Sequence, residues 1–87
     1  MPLITVFIKR KARKHFDSLP KDTQDRVTCA IRVLRNEGLT GNLDIKQLKG
    51  LPNAFRIRIG DYRIFLELTS KDVAEIYAIK IRKNAYK

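Results

Sequence analysis

Three arginines, Arg56, Arg58 and Arg63, stand close together in the stretch AFRIRIGDYRIFLEL, with Phe65 just beyond them. Guanidinium groups are planar, stay charged, and match phosphate through paired N–H donors. Held side by side on a rigid surface, they would make an anion site for phosphate or nucleic acid.

The same stretch supplies such a surface. Ala54 to Ile59 and Tyr62 to Leu66 alternate in character around Gly60-Asp61, the pattern of a β-hairpin. Glycine first in a two-residue loop suits a type II′ turn, whose first central residue needs a positive φ. The turn sets a register in which Ile59 faces Tyr62, Arg58 faces Arg63, Ile57 faces Ile64, Arg56 faces Phe65 and Phe55 faces Leu66. Alternation then puts Phe55, Ile57, Ile59, Tyr62, Ile64 and Leu66 on one face, and Arg56, Arg58, Arg63 and Phe65 on the other. Like charges in a cross-strand pair destabilise a sheet, so stability alone favours a carboxylate or Thr opposite Arg58. A solvated outer face is the plainer reading, since exposed charges are ordinary. The Arg58–Arg63 pairing favours the anion site.

Composition agrees. The chain has 87 residues and a formal net charge of +10. That length suits one domain, spanning 1–87, with a modest core. Hydrophobic content of 44% and charged content of 32% are ordinary for a folded soluble protein, but the net charge is not. Self-repulsion at that density works against compaction, which points to a polyanionic partner. Nucleic acid comes first, ahead of an anionic membrane surface and an acidic protein. Cys29 is the one cysteine, which excludes an internal disulfide and a Cys-based zinc site. It reads as a helix residue, packed or half exposed, and not as a nucleophile. No signal peptide or membrane span is visible, so a cytoplasmic protein is expected.

Other elements must position the hairpin. Leu3 to Ile8 reads as a short strand buried on both faces, and Lys9 to Ser18 as a short helix with Ala12, Phe16 and Leu19 as its apolar stripe. Pro20 stops that helix and opens a second, in which Val27, Ile31 and Leu34 recur at helical spacing and Gly38 is the C-cap. Leu39 to Gln47 reads as a loop, Thr69 to Asp72 as a tight turn, and Val73 to Ile81 as an interior strand. Strict alternation on that strand puts Ile76, Ala78, Lys80 and Arg82 on the arginine face, and Tyr77, Ile79 and Ile81 on the other. The expected fold is α+β in the order β-α-α-β-β-β, with two helices on one face of a small, mostly antiparallel sheet.

The string LKGLPNAFRIRIGDYRI, Leu48 to Ile64, resembles the RelE branch of the RelE/ParE toxin superfamily. So does a final strand ending in Arg82 with Tyr86 four residues later. The resemblance covers nearly the whole chain; the hairpin motif is fairly specific and the helical half generic. It implies a microbial-ribonuclease-like fold and a toxin of a toxin–antitoxin pair, one that enters the ribosomal A site and cuts mRNA without metal or other cofactor. It also implies a RelB-like antitoxin as partner, with a monomeric toxin becoming part of a hetero-oligomer.

Carried over by position, the family's strand basics fall on Arg56 and Arg58, the post-turn arginine on Arg63, the late-strand arginine on Arg82 and the C-terminal tyrosine on Tyr86. Lys49 stands in the LKG turn, where RNA contact is common. On this reading Arg63 and Arg58, helped by Arg56, stabilise the pentacovalent phosphorane formed when a ribose 2′-OH attacks its own 3′-phosphate. Arg82 acts on the leaving oxygen, and Tyr86 stacks on a base. Some relatives have Lys on the first strand. Arginine stays protonated and cannot replace a lysine base. Glu67 is a candidate base and equally a salt-bridge partner, while His15 reads as a surface or packing residue. A mechanism without a dedicated base is the third option. Lys9, Lys11, Lys80 and Lys83 are expected to contact RNA backbone. A ParE-like poison of DNA gyrase and a non-catalytic RNA-binding module are the competing functions.

Overall fold

The structure is a computed structural model that describes residues 4–40 and 43–81. In chain order the elements are β1 (Thr5–Ile8), α1 (Arg10–Asp17), α2 (Lys21–Glu37), a 3₁₀ turn (Gly38–Thr40), β2 (Ile45–Gln47), β3 (Ala54–Ile59), β4 (Tyr62–Ser70) and β5 (Val73–Ile81). The strands form one five-stranded sheet in the order β1-β5-β4-β3-β2. β1 runs parallel to β5, and every other pairing is antiparallel. The architecture is the expected α+β one.

The hairpin has the expected register: Arg58 pairs with Arg63, Ile57 with Ile64, and Phe55 with Leu66. Gly60 takes φ +57°, as a type II′ turn requires of its first central residue. A Cβ there would lie 3.2 Å from the Arg26 guanidinium reaching across from α2. Backbone strain is the larger penalty, so Gly60→Ala is expected to cost roughly 1–2 kcal/mol. Thermal unfolding of the variant checks this, with a midpoint lowered by roughly 4–8 °C per kcal/mol in a domain of this size.

One face of the sheet is the core. Ile57, Ile64, Leu66 and Ile76 are buried against Ala12 of α1 and Val27, Ala30 and Leu34 of α2. α1 stops at the Ser18-Leu19-Pro20 corner, where the Phe16 carbonyl accepts both the Leu19 N–H at 3.1 Å and the Gln24 amide at 2.9 Å. α2 ends at Gly38, with φ +73°.

Four expectations need correction. Leu39 to Gln47 is not all loop, because Ile45–Gln47 forms β2 against β3. Three residues are too few for an alternating pattern to show. β1 is not buried on both faces: it is an edge strand, and Phe7 is 54% exposed. β4 runs on through Ser70, which shortens the turn to Lys71-Asp72. The fourth concerns β5. Phe65 pairs with Ala78 but Leu66 pairs with Ile76, so the register slips by one at Tyr77. This bulge turns Ile76 into the core and brings Tyr77 against Phe65, with ring centroids 6.3 Å apart. Ala78 and Lys80, beyond the bulge, keep their expected face.

Candidate active site

The face opposite the helices is built in cross-strand rows. The first row is Arg58 on β3, Arg63 on β4 and Lys80 on β5, register partners on three adjacent strands. Neighbouring strands lie about 4.8 Å apart, so three cations occupy a strip on the order of 10 Å long. The second row is Arg56, Phe65 and Ala78. The third is Ala54, Glu67 and Glu75, with Tyr77 bulged in beside it.

The first row is not uniformly solvated. Arg58 is exposed, but Arg63, on the middle strand, is only 4% exposed. Its Nη1 donates to the Tyr62 carbonyl at 3.4 Å. That depth fixes the guanidinium in place between Arg58 and Lys80, and a fixed positive charge suits the stabilisation of an anion.

One important residue gave no sequence signal. Asp44, just before β2, accepts from Arg58 Nε at 2.7 Å and lies 3.7 Å from Arg56 Nη1. Its carbonyl also accepts the Arg58 backbone N–H at 2.9 Å, so main chain and side chain fasten β3 to the same residue. The carboxylate draws the Arg58 guanidinium toward β2, away from Arg63. Because β2 itself read as loop, nothing in the sequence placed Asp44 beside the arginines.

The remaining expected residues are scattered. Lys49 is exposed in the turn after β2, where Gly50 has φ +77°. That turn is held firmly: Leu48 N–H donates to the Ala54 carbonyl at 2.8 Å, Ala54 N–H to Leu51 at 3.1 Å, and the Gln47 amide to Pro52 at 2.8 Å. Lys9 stands at the N-terminal boundary of α1, makes no side-chain cap there, and pairs with Glu75 at 3.7 Å. Lys11 is exposed on α1, on the helical side of the sheet. Cys29 is exposed on α2. His15, half buried on α1, lines a cavity of about 480 Å³ together with Leu19, Tyr62 and Lys80 of the first row. Arg82, Lys83 and Tyr86 lie outside the described residues. Among the described residues, no cluster of His, Cys, Asp and Glu is placed to hold a metal ion.

A cleft of about 390 Å³ opens at the third row, between Leu51-Pro52-Asn53 on one side and Tyr77 and Lys9 on the other, with Ala54 and Glu67 between them. Burial, and secondly the nearby Glu67 carboxylate, raise the Tyr77 hydroxyl above the usual tyrosine pKa.

No family model matches the chain. Toxin RelE3 of Methanocaldococcus jannaschii is 32% identical to it over 75 residues, which is 84% of each chain. The chain belongs to the RelE toxin family. Two solved structures agree with that membership. The RelB-RelE antitoxin-toxin complex from Methanococcus jannaschii matches with a TM-score of 0.81 at 30% identity, over 92% of this chain and 94% of that one. The archaeal RelE-RelB complex from Pyrococcus horikoshii OT3 matches with a TM-score of 0.79 at 30% identity, over 94% of this chain and 97% of that one. These relatives are RelE proteins, which favours the RelE reading over the ParE one. In this RelE chain, the arginines expected from the hairpin motif stand on the face opposite the helices, on adjacent strands.

Proposed function

We propose that this chain is the toxin of a toxin–antitoxin pair and acts as a ribosome-dependent mRNA endoribonuclease. The observation that carries the reading is the Arg58–Arg63–Lys80 row, three cations on three adjacent strands of one sheet face. The residues do this chemistry in a simple way. A ribose 2′-OH attacks the adjacent phosphorus and gives its proton to water, the 5′-oxygen leaves and takes a proton from water, and a 2′,3′-cyclic phosphate results. Negative charge builds on the non-bridging oxygens at the phosphorane, where Arg63 and Arg58 bind it and Arg56 assists. Arg82 stabilises the negative charge on the leaving oxygen, and Tyr86 stacks on a base to hold the backbone in line; both roles rest on the family resemblance.

Glu67 is not the base on this account. It stands four residues along β4 from Arg63, a strand distance of about 13 Å. Positioning and electrostatic stabilisation carry the reaction, with the ribosome presenting the strand. Lys9, Lys11, Lys49, Lys80 and Lys83 add backbone affinity without reading sequence. The partner is a RelB-like antitoxin, an acidic segment that covers the basic face and forms a hetero-oligomer with the toxin. The RelE relatives crystallised with RelB support this.

The test uses purified protein on ribosomes programmed with mRNA and an empty A site, beside the same RNA free in solution and DNA gyrase in a supercoiling assay. Cleavage confined to the ribosome supports the proposal. Gyrase inhibition without cleavage, or RNA binding without cleavage, replaces it.

Asp44 bears on the same proposal. Its carboxylate occupies Arg58 where an RNA phosphate would bind. Both side chains are about half exposed, so the pair adds little stability. Asp44→Asn is expected to tighten binding of a non-cleavable 2′-O-methyl RNA several-fold at low salt, with an unchanged unfolding midpoint. Fluorescence anisotropy at increasing salt checks this, since the gain should shrink as screening rises.

A further inference from the structure

We infer that the cleft at the third row is a nucleobase subsite that selects guanine through Glu67, an inference that rests on the nuclease reading. The cleft lies beside the arginines, on the face that the RNA would cross. From the first row to Glu67 is about 13 Å along β4, a distance that one or two nucleotides of extended strand span. Ala54, directly opposite Glu67, leaves room above the sheet. Leu51 and Pro52 form an apolar wall on one side and Tyr77 an aromatic wall on the other. Leu51 is 54% exposed, a large apolar side chain left open to a ligand. A flat ring fits between such walls, and single-stranded RNA is commonly read by stacking plus hydrogen bonds to a base edge.

Glu67 supplies the reading group. It points out from the arginine face into the cleft and forms no ion pair among the described residues, while Lys9, at the rim, is engaged by Glu75. A carboxylate is acceptor-only. Guanine offers two adjacent donors, N1–H and N2–H, which meet its two oxygens together. Adenine and cytosine each place a ring-nitrogen acceptor next to their amino donor, and uracil flanks its single N–H with two carbonyls. The carboxylate therefore attracts guanine and repels part of every other edge. An acid on the working face of a chain with net charge +10 opposes RNA in general, which suits a role in choosing one base.

The test has two arms. The first measures cleavage on programmed ribosomes whose A-site codons differ in one base, by wild type and Glu67→Gln. Wild type is expected to favour guanine at one position on the order of ten- to a hundredfold, the discrimination of a good bidentate pair. Glutamine pairs with adenine instead, so Glu67→Gln should abolish or invert the guanine-to-adenine ratio while cutting adenine codons at least as fast as wild type. An equal loss on all four bases, or a wild type without preference, overturns the subsite. The second arm measures binding of free protein to 2′-O-methyl oligonucleotides with one varied base, following the Tyr77 ring protons. Guanine preference in binding that Glu67→Gln removes, without cleavage in the first arm, supports the subsite and rejects the nuclease. No base preference in either arm rejects the subsite alone if cleavage occurs, and both readings if it does not.

Discussion

Arg63→Ala is expected to lower mRNA cleavage on programmed ribosomes by on the order of a hundred- to a thousandfold, the usual cost of removing one preorganised donor from a site of developing negative charge. Ribosome binding should change by less than about threefold, because the exposed lysines that supply backbone affinity are untouched. The reason is position. Arg58 and Lys80 flank Arg63 on the neighbouring strands, so each faces a phosphate from one side, whereas Arg63 meets it from the middle of the strip. Arg63 is also nearly enclosed, and water screens its charge less than it screens that of exposed Arg58. Truncation of a buried side chain can loosen a strand, so Arg63→Lys serves as the companion variant. It keeps the charge and most of the stem but loses the bidentate fork, and should lie between wild type and alanine. Single-turnover cleavage measured beside a binding isotherm and an unfolding midpoint separates lost catalysis from lost folding.

Leu66→Ala is expected to have the largest effect on stability, about 2–5 kcal/mol. Leu66 is fully buried on the central strand, with Phe55 and Ile76 as its register partners to either side. The bulge at Tyr77 turns Ile76 toward it, so relaxation into the cavity would have to disturb the bulge as well. A domain of this size has only about 5–10 kcal/mol in hand, so the loss should lower the unfolding midpoint by tens of degrees. Urea denaturation with an unchanged slope would show that the native state is weakened and not expanded. The same bulge presents Tyr77 to the cleft, so the variant should also blunt discrimination between bases before it abolishes cleavage.

The hairpin was readable from the sequence because every local signal agreed. Gly60 required its turn, the apolar set Phe55, Ile57, Ile64 and Leu66 required one face inward, and a shift of one residue would have exposed all of them. The Arg58–Arg63 pair followed from that register. Lys80 stands on its expected face because alternation holds from Ala78 onward, beyond the bulge. Ile76 and Tyr77 do not, because strict alternation cannot register an inserted residue; Val73 to Ile81 is apolar enough on both sides for either phase to look acceptable. β2 and Asp44 were invisible together: a three-residue strand has no period, and Asp44 belongs to the site only through the pairing of β2 with β3. The depth of Arg63 was likewise hidden, since a sheet face with charged residues looks solvated until neighbouring strands are placed on both sides. Edge strand β1 was misjudged from its hydrophobicity, which in Phe7 serves exposed surface and not core.

In the proposed function, the arginine face stabilises attack by the RNA's own 2′-OH. The most direct measurement maps cleavage of mRNA on programmed ribosomes, with the ribose at the cut site either natural or 2′-O-methylated, and identifies the new 3′ end. A 2′,3′-cyclic phosphate is expected on the natural strand, and no cut at the methylated ribose. Cleavage that persists at the methylated ribose, or a free 3′-hydroxyl on the upstream fragment, would contradict the proposed function.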